Sequence, residues 1–580
     1  MASRWVLPGG AGGSACQPDP SSLAAALGIA VPAAAVLVGR GLADPEAARR
    51  FLHPSFADFH DPFLMRGMGE AVARLHAAVE RREKILVYGD YDVDGVTSVV
   101  TLMKAIELCG GIASYHVPHR LKDGYGMREE VVESAASNGV RLIVSVDTGI
   151  RAAEVVDRAN QLGIDVIVTD HHLPEAALPP ALAILNPNQP GCSYPEKNLC
   201  GAGVVFKLTQ ALFSGKGWPE SRLRRLAGSF LKLAAIATVA DVVSLTGENR
   251  AIVALGLAGL RDVRNGGLRA LLDVAGFTGS AVPTAGQVAF RIAPRLNAAG
   301  RMDTAQAAVE LFLTTDTARA RDLARQLHEQ NAGRQQIESQ VRDLCERDGA
   351  DPSAAALVYY APEWHRGVLG IVAGRMAERL HRPVFVLAQN PEDGLAQGSG
   401  RSIPAFHLLD ALESMPDLFI RFGGHSHAAG VTLDPSRVEE FRARLNAFAA
   451  ARLGPEDFKP CLTIDAVVNL SDLTESCIAD LFALAPFGHG NPAPVLAALD
   501  VSLAGPPVVW KEKHLKIMVR QKNRNLLLKA WNFAARVNEL SPSAQLDLAF
   551  QVEEDAYTGW SAVLRDVRTG EAREAAAGSG

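Results

Sequence analysis

Three short apolar runs, "KILVYGD", "RLIVSVD" and "DVIVTD", each close on an aspartate, and helical stretches such as "SVVTLMKAIELCG" and "AAEVVDRANQLG" stand between them. Apolar runs without polar alternation read as strands buried on both faces, and the intervening helices supply the crossovers that parallel strands need. "IASYHVP" and "LAILNP" extend the series. From residue 84 onward the chain is therefore predicted to build a mostly parallel α/β sheet. In such sheets ligands bind beyond the carboxyl ends of the strands, so Asp90, Asp147 and Asp170 are expected to converge there.

After the first strand, "YGDYDVDGVTS" sets Asp90, Asp92 and Asp94 on alternate positions. Close like charges disfavour one another unless a cation neutralises them, which points to a divalent metal. The helix that follows at once should also turn its first amides toward the crevice. Asp170 precedes His171 and His172, the only adjacent histidine pair in the chain. Carboxylates with imidazoles suit manganese better than calcium, whereas magnesium usually prefers oxygen alone. Asp241 lies in the apolar stretch "AAIATVADVV", where an unpaired carboxylate is costly to bury. So many ligand candidates point to two ions, which acidify a water and stabilise both oxygens of a displacement at phosphorus. Phosphoester or phosphoanhydride hydrolysis is the reaction class that fits. Taken singly, each residue has a plainer role: an aspartate capping a helix, a hydrogen-bonded histidine, an acid paired with arginine. The ordered set is not explained that way.

At 580 residues the chain should hold about three or four domains. Residues 1–78 read as an N-terminal helical segment, 79–302 as the parallel-sheet domain, and 303–349 as a helical link with Gly333 as a candidate bend. Residues 350–452 read as a smaller α/β domain, 453–565 as a β-barrel or sandwich, and 566–580 as a tail. The seven cysteines are scattered without CxxC spacing, so neither a disulfide framework nor a thiolate zinc site is expected, and a reducing cytoplasm fits. "AAALGIAVPAAAVLVG" is too short to span a bilayer and is broken by Pro32, so a soluble, unexported protein is expected. A net charge of −6 does not exclude a polyanionic partner, because binding depends on where charge sits. Residues 511–529 carry seven Lys or Arg against one acid and are flanked by Trp510 and Trp531, the composition of a basic groove with stacking rings. "GSGRS", residues 398–402, offers amides, hydroxyls and the Arg401 fork to a phosphate.

The ordered series "FLHPSFADFHDPFLM", "YGDYDVDGVTS", "SVDTGI", "TDHH", "NLCGAGVVFKL", "RLNAAGRM", "GSGRSIPAFHL", "GGHSHAAG" and "FGHGNPAPV" resembles the DHH phosphoesterase superfamily, and within it the RecJ family of single-stranded-DNA exonucleases. The resemblance implies an α/β multidomain protein: a parallel-sheet DHH domain, a long helix, a smaller DHHA1 domain and an OB-fold barrel. It implies two Mn²⁺ ions, with Mg²⁺ as substitute, and hydrolysis of single strands from the 5′ end to nucleoside 5′-monophosphates in DNA repair and recombination. Carried over by motif, Asp92, Asp94, Asp147, His171 and Asp241 are metal ligands, Asp94 and Asp147 bridge, and Asp90 completes or supports the cluster. His172 faces the water or scissile phosphate, joining Asp94 and Asp147 in catalysis, while Asp170 orients a histidine from behind. Arg120, Ser399 and Arg401 fall to the 5′-phosphate, and Arg301, Gly423, Gly424 and His425 to substrate contact. Lys513, Lys516, Arg520 and Trp531 would hold the strand on the OB-fold. Some superfamily members carry a histidine where this chain has Tyr88, which leaves the role of Asp90 open. Implied partners are single-stranded DNA with a 5′ end, a single-strand-binding protein and a helicase, met by a monomer. Two alternatives stand: a DHH phosphodiesterase acting on short oligoribonucleotides or cyclic dinucleotides, and a non-catalytic single-strand-binding scaffold.

Overall fold

The computed structural model describes residues 3–8, 18–119, 124, 126–302, 304–349, 351, 353–541, 544–555 and 557–569. Arg120 lies outside them. The strands Ile112–His116, Lys84–Tyr88, Val140–Val146, Asp165–Thr169 and Ala183–Leu185 stand side by side in that order, every pair parallel. Alternation explains their continuous apolar character. Ile85, Val87, Leu142, Val144 and Ile167 pack into one core, and Leu86, Tyr88, Ile143, Val166 and Val168 into another. The chain leaves Lys84–Tyr88 toward one edge and returns across it to Val140–Val146. The order reverses between these two strands, and that switch point is where such a sheet opens a crevice.

Helix Thr317–Asp348 runs for 32 residues, about 48 Å at ~1.5 Å per residue. It passes through Gly333 without a break. Ala320, Leu323 and Leu327 pack into the first domain and Val341 and Cys345 into the second, so the helix bridges the two. The link is shorter than expected, because Gln306–Leu313 forms a separate helix buried in the first core through Val309, Leu311 and Phe312. In the second domain the strands Arg421–Gly424, Ala428–Leu433, Ala396–Arg401, Val384–Gln389 and Leu357–Tyr360 form a mixed sheet in that order; only the last pair is parallel.

The third domain is a closed barrel rather than a sandwich. Leu496–Leu503, Leu546–Asp555, Gly559–Thr569, Arg524–Ala530 and His514–Gln521 pair in a ring, which closes where Ser502 meets Arg520. The last strand reaches Thr569, which corrects the tail predicted from 566. Asp566 is buried and accepts from Ser3 N, Trp5 Nε1 and Arg536 Nη1, so its polarity is structural.

Residues 1–78 are not one helical unit. Arg4–Val6 pairs with Cys461–Thr463, and Leu23, Ala33, Leu37 and Phe51 pack on the barrel core, whereas helix Met68–Glu80 belongs to the first domain through Met68 and Leu75. The apolar stretch around Pro32 makes two helices bent by 116°, and no single helix among the described residues is long and apolar enough to cross a membrane. Arg250 ties these parts together. It is buried, donates to Phe51 O at 2.6 Å and Ala485 O at 2.7 Å, and stacks 3.6 Å from the Phe51 ring. Burial, then the neighbouring Arg40, lowers its pKa to about 9.

Candidate metal centre and strand-binding surfaces

Asp92 caps helix Val93–Leu108: its Oδ1 accepts from Asp94 N at 2.9 Å and Gly95 N at 3.0 Å. Val93 N donates to Asn297 Oδ1 at 3.1 Å. These first amides are therefore taken up by side chains, and do not open onto the crevice as the sequence led us to expect. A methyl group on Gly95 would lie 2.6 Å from the Asp90 carbonyl carbon, so only glycine lets the chain fold back this tightly.

Asp94 is 1% exposed, and its carboxylate accepts from Gly201 N at 2.6 Å and Ala202 N at 2.7 Å, the first amides of helix Gly201–Ser214. A helix N-terminus thus supports the acid's charge. A Cβ on Gly201 would lie 2.7 Å from Asp147 Cβ, which is why that helix starts with glycine. The sequence assigns no role to Gly201, Ala202 or Asn297, although "NLCGAG" and "RLNAAG" stand out: Gly201 and Ala202 act as main-chain donors, which leave no side-chain signature, and Asn297 accepts from an amide 204 residues away.

Asp147 follows its strand with φ +60°, a left-handed conformation that aspartate tolerates better than most residues. Its Oδ1 lies 3.2 Å from His171 Nε2, and neither buried atom has a hydrogen-bond partner. His171 Nε2 is also 3.8 Å from Asp94 Oδ2 and 3.7 Å from Asp241 Oδ2. Asp241 ends helix Glu220–Ala240, at the pole where a carboxylate is disfavoured. Three overlapping sets bring ligand atoms within 4.8 Å of one another: Asp147 with His171 and His172, Asp94 with His171 and Asp241, and Asp90 with Asp92 and Asp147.

The charges are mutually unfavourable. Burial raises Asp147 well above its ordinary range, and Asp94, Asp92 and Asp90 push the same way. Burial also raises Asp94, and burial with Asp94 and Asp92 takes Asp241 to about 9. His171 is lowered by burial. Acids held above their range beside a neutral imidazole make a donor set that fits a divalent cation. Asp170 stands apart from this set. It accepts from Ile150 N, His171 N and His172 N, and its Oδ1 lies 2.7 Å from His172 Nδ1. Burial would raise Asp170, but the His172 bond and charge together with the Ile150 and His172 amides lower its pKa; burial would lower His172, but the same bond together with the charges of Asp170, Asp94 and Asp92 raises it.

In the second domain Ser399 and Arg401 share one strand and face Gly370, whose Cβ position is 3.2 Å from Arg401 Nη2 and 3.5 Å from Ser399 Oγ. Burial lowers the His425 pKa, and neighbouring His427, Arg401 and His407 push the same way. Gly423 and Gly424 end the strand before His425. Arg301 Nη1 donates to Gly367 O at 3.2 Å, joining the first and second domains. A crevice of about 650 Å³ runs between the three domains, lined by Arg301, Arg334, Arg375, Phe290, Phe487 and His489. Phe290 stands 81% exposed on a π-helical turn, Val288–Ile292.

On the barrel, Leu515, Ile517 and Val519 point inward while Lys516 and Arg520 alternate outward; Lys513 sits in the preceding turn. Trp531 is exposed, its ring 5.2 Å from Trp510 and 4.9 Å from His514, and Lys516 Nζ lies 5.5 Å over Trp510. The tryptophans therefore form a surface platform.

A parallel sheet with clustered aspartates and a histidine pair at its switch point, joined by a long helix to a mixed-sheet domain, defines the class of DHH phosphoesterases. The model of the DHH family N-terminal domain matches residues 84–238, that of the DHHA1 domain 353–451, and that of the RecJ OB domain 464–564. The chain is 39% identical to the single-stranded-DNA-specific exonuclease RecJ of Bacillus subtilis, over 92% of this chain and 67% of that protein. It is 38% identical to RecJ of Dickeya dadantii, over 88% and 91%. The crystal structure of RecJ in complex with Mn²⁺ from Thermus thermophilus superposes with a TM-score of 0.82 at 32% identity, covering 97% of this chain and 79% of that one. A second structure, exonuclease RecJ bound to manganese, gives 0.59 at 39% identity over 68% and 96%. The chain belongs to the RecJ family of single-stranded-DNA-specific exonucleases.

Proposed function

We propose that this chain hydrolyses single-stranded DNA from its 5′ end to nucleoside 5′-monophosphates, using two divalent ions held by Asp90, Asp92, Asp94, Asp147, His171 and Asp241. The observation that carries the reading is the facing pair Asp147 Oδ1 and His171 Nε2, buried and without hydrogen bonds, inside a ring of acids. In this reading manganese is the ion and magnesium its substitute; the structures of RecJ from Thermus thermophilus include a complex with each. When bound, such a pair lowers the pKa of a water and neutralises charge on the phosphate.

The chain's own groups do the remaining work. Gly201 and Ala202 amides fix Asp94, and Asp170 holds His172 by Nδ1 so that the opposite ring nitrogen can hold or deliver a proton. Ser399, Arg401 and His425 take the terminal phosphate, with Arg120 as a further candidate, and a clamp at the end of the strand fixes which bond is cut. Arg301 contacts the strand near the crevice, and Lys513, Lys516, Arg520 and Trp531 hold it on the barrel, where each stacked base contributes ~1–3 kcal/mol. The reading includes a role in repair and recombination, as a cytoplasmic monomer working beside a single-strand-binding protein and a helicase. The test is digestion, with Mn²⁺, of single strands labelled separately at each end. Release of a labelled mononucleotide from the 5′ end first is expected. Cleavage of dinucleotides alone would favour the small-substrate phosphodiesterase, and strand binding without metal uptake the scaffold.

A further inference from the structure

The motif "FGHGNP", residues 487–492, belongs to the barrel domain. It forms a tight turn in which Gly488 and Asn491 bond to each other both ways, at 2.9 and 3.1 Å. Asn491 is fully buried, and its Nδ2 donates to Leu484 O at 2.9 Å and Pro486 O at 2.8 Å. Arg40 donates to Asn491 Oδ1 and, at 2.7 Å, to Pro492 O. A turn braced from three sides is a rigid stop.

It is set against the segment that follows Asp241. Val242 has φ +59°, a genuine outlier for a β-branched residue, and its own side chain is 65% exposed, so it does not hold itself there. The restraint comes further along. Leu245 N donates to His489 O at 2.8 Å, and a Cβ on Gly488 would lie 2.6 Å from Leu245 Cδ1. A Cβ on Gly490, whose φ is +71°, would overlap Ser244 Oγ and lie 3.0 Å from Ser244 Cβ. From the inner side, Asn249 Nδ2 donates to Ser244 O at 3.1 Å and to Asn198 O at 2.6 Å. Asn198 leads into the helix whose first amides hold Asp94. One buried amide thus braces the supports of Asp94 and Asp241 together, and the barrel turn presses the second from outside.

We infer that the Phe487–Pro492 turn and Asn249 are positioning elements for Asp241, with the Gly490–Ser244 contact as the transmitting surface, so that docking of the barrel sets the affinity of one metal site. This rests on the metal-centre reading. Linkage makes the effect reciprocal, and metal occupancy tightens the barrel's docking by the same factor.

The test is Mn²⁺ titration of the full chain by calorimetry, without DNA. Wild type is expected to show two sites. Gly490→Ala should weaken one of them by about 10- to 100-fold, the range for groups that orient a ligand, and leave the other as in wild type. Ser244→Gly in that background removes the overlap but not the backbone strain at φ +71°, and should return part of the lost affinity. If Gly490→Ala does not fold, Asn249→Ser is read in its place, with the same selective loss expected. Two wild-type sites unchanged in the variant, equal loss at both, or a double variant that stays weak would overturn the inference alone. A wild type that takes up no Mn²⁺ would overturn the metal-centre reading with it.

Discussion

At the scale of single residues, the site gathers acids that repel one another. Asp94 is braced from behind by the Gly201 and Ala202 amides, whereas Asp147 Oδ1 faces His171 without a hydrogen bond and Gly201 leaves room for it. Asp147→Ala should lower kcat by about 10²–10³ or more, the cost of losing one group that stabilises developing charge, while strand affinity measured by anisotropy stays near wild type. A second expectation concerns pH. Asp241, raised to about 9 by burial and neighbouring acids, binds a proton in the folded state that the unfolded chain has released. The unfolded state then binds fewer protons, so stability falls as pH rises toward that value, by up to ~1.4 kcal/mol per pH unit for one proton. His171, lowered by burial, has the opposite sign but only below its unfolded value of about 6.5. The metal-free protein should therefore lose thermal midpoint between about pH 7 and pH 9, and Mn²⁺ should return more stability at the upper end. A midpoint that rises across that window would contradict the assignment. Asp90 and Asp147 stand out in the sequence because each ends an apolar run, and Asp92 and Asp94 because they alternate with Asp90; the supports do not, because Gly201 and Ala202 act through main-chain amides and Asn297 is distant in sequence.

At the scale of elements, helix Gly201–Ser214 has to hold its N-terminus against Asp94, and a buried ion pair anchors its middle. Lys207 Nζ donates to Glu248 Oε1 at 2.8 Å and His60 O at 2.7 Å, and Tyr194 OH donates to Glu248 Oε2 at 2.6 Å. Burial lowers the Lys207 pKa, against the pull of Glu248. Lys207→Met leaves Glu248 buried and uncompensated and should cost about 3–5 kcal/mol in denaturant unfolding. Little change would show that the anchor is dispensable. The parallel strands and the long helix were legible because each is a local pattern of sufficient length. The strand Arg4–Val6 and the end of Gly559–Thr569 were not. The first is three residues long, and the second interleaves Asp566 and Arg568, whose partners lie at the far end of the chain.

At the scale of the molecule, three domains meet around one crevice, and the barrel contributes both a basic outer face and a turn pressed against the segment after Asp241. The contacts between domains could not be read from composition, because Arg250, Asn491 and Gly490 act across interfaces that no local pattern records. Replacing Lys513 and Lys516 together by alanine should weaken long-strand binding and reduce the salt slope by about 1.4, two contacts at ~0.7 each. An unchanged slope would move the strand off this face. The central claim is that side chains from Asp90 to Asp241 surround a pair of divalent ions, and anomalous diffraction from crystals grown with Mn²⁺ tests it most directly. Two peaks ~3.5–4 Å apart among Asp92, Asp94, Asp147, His171 and Asp241 are predicted. No peak at the switch point, or ions bound elsewhere while these side chains turn away, would contradict it.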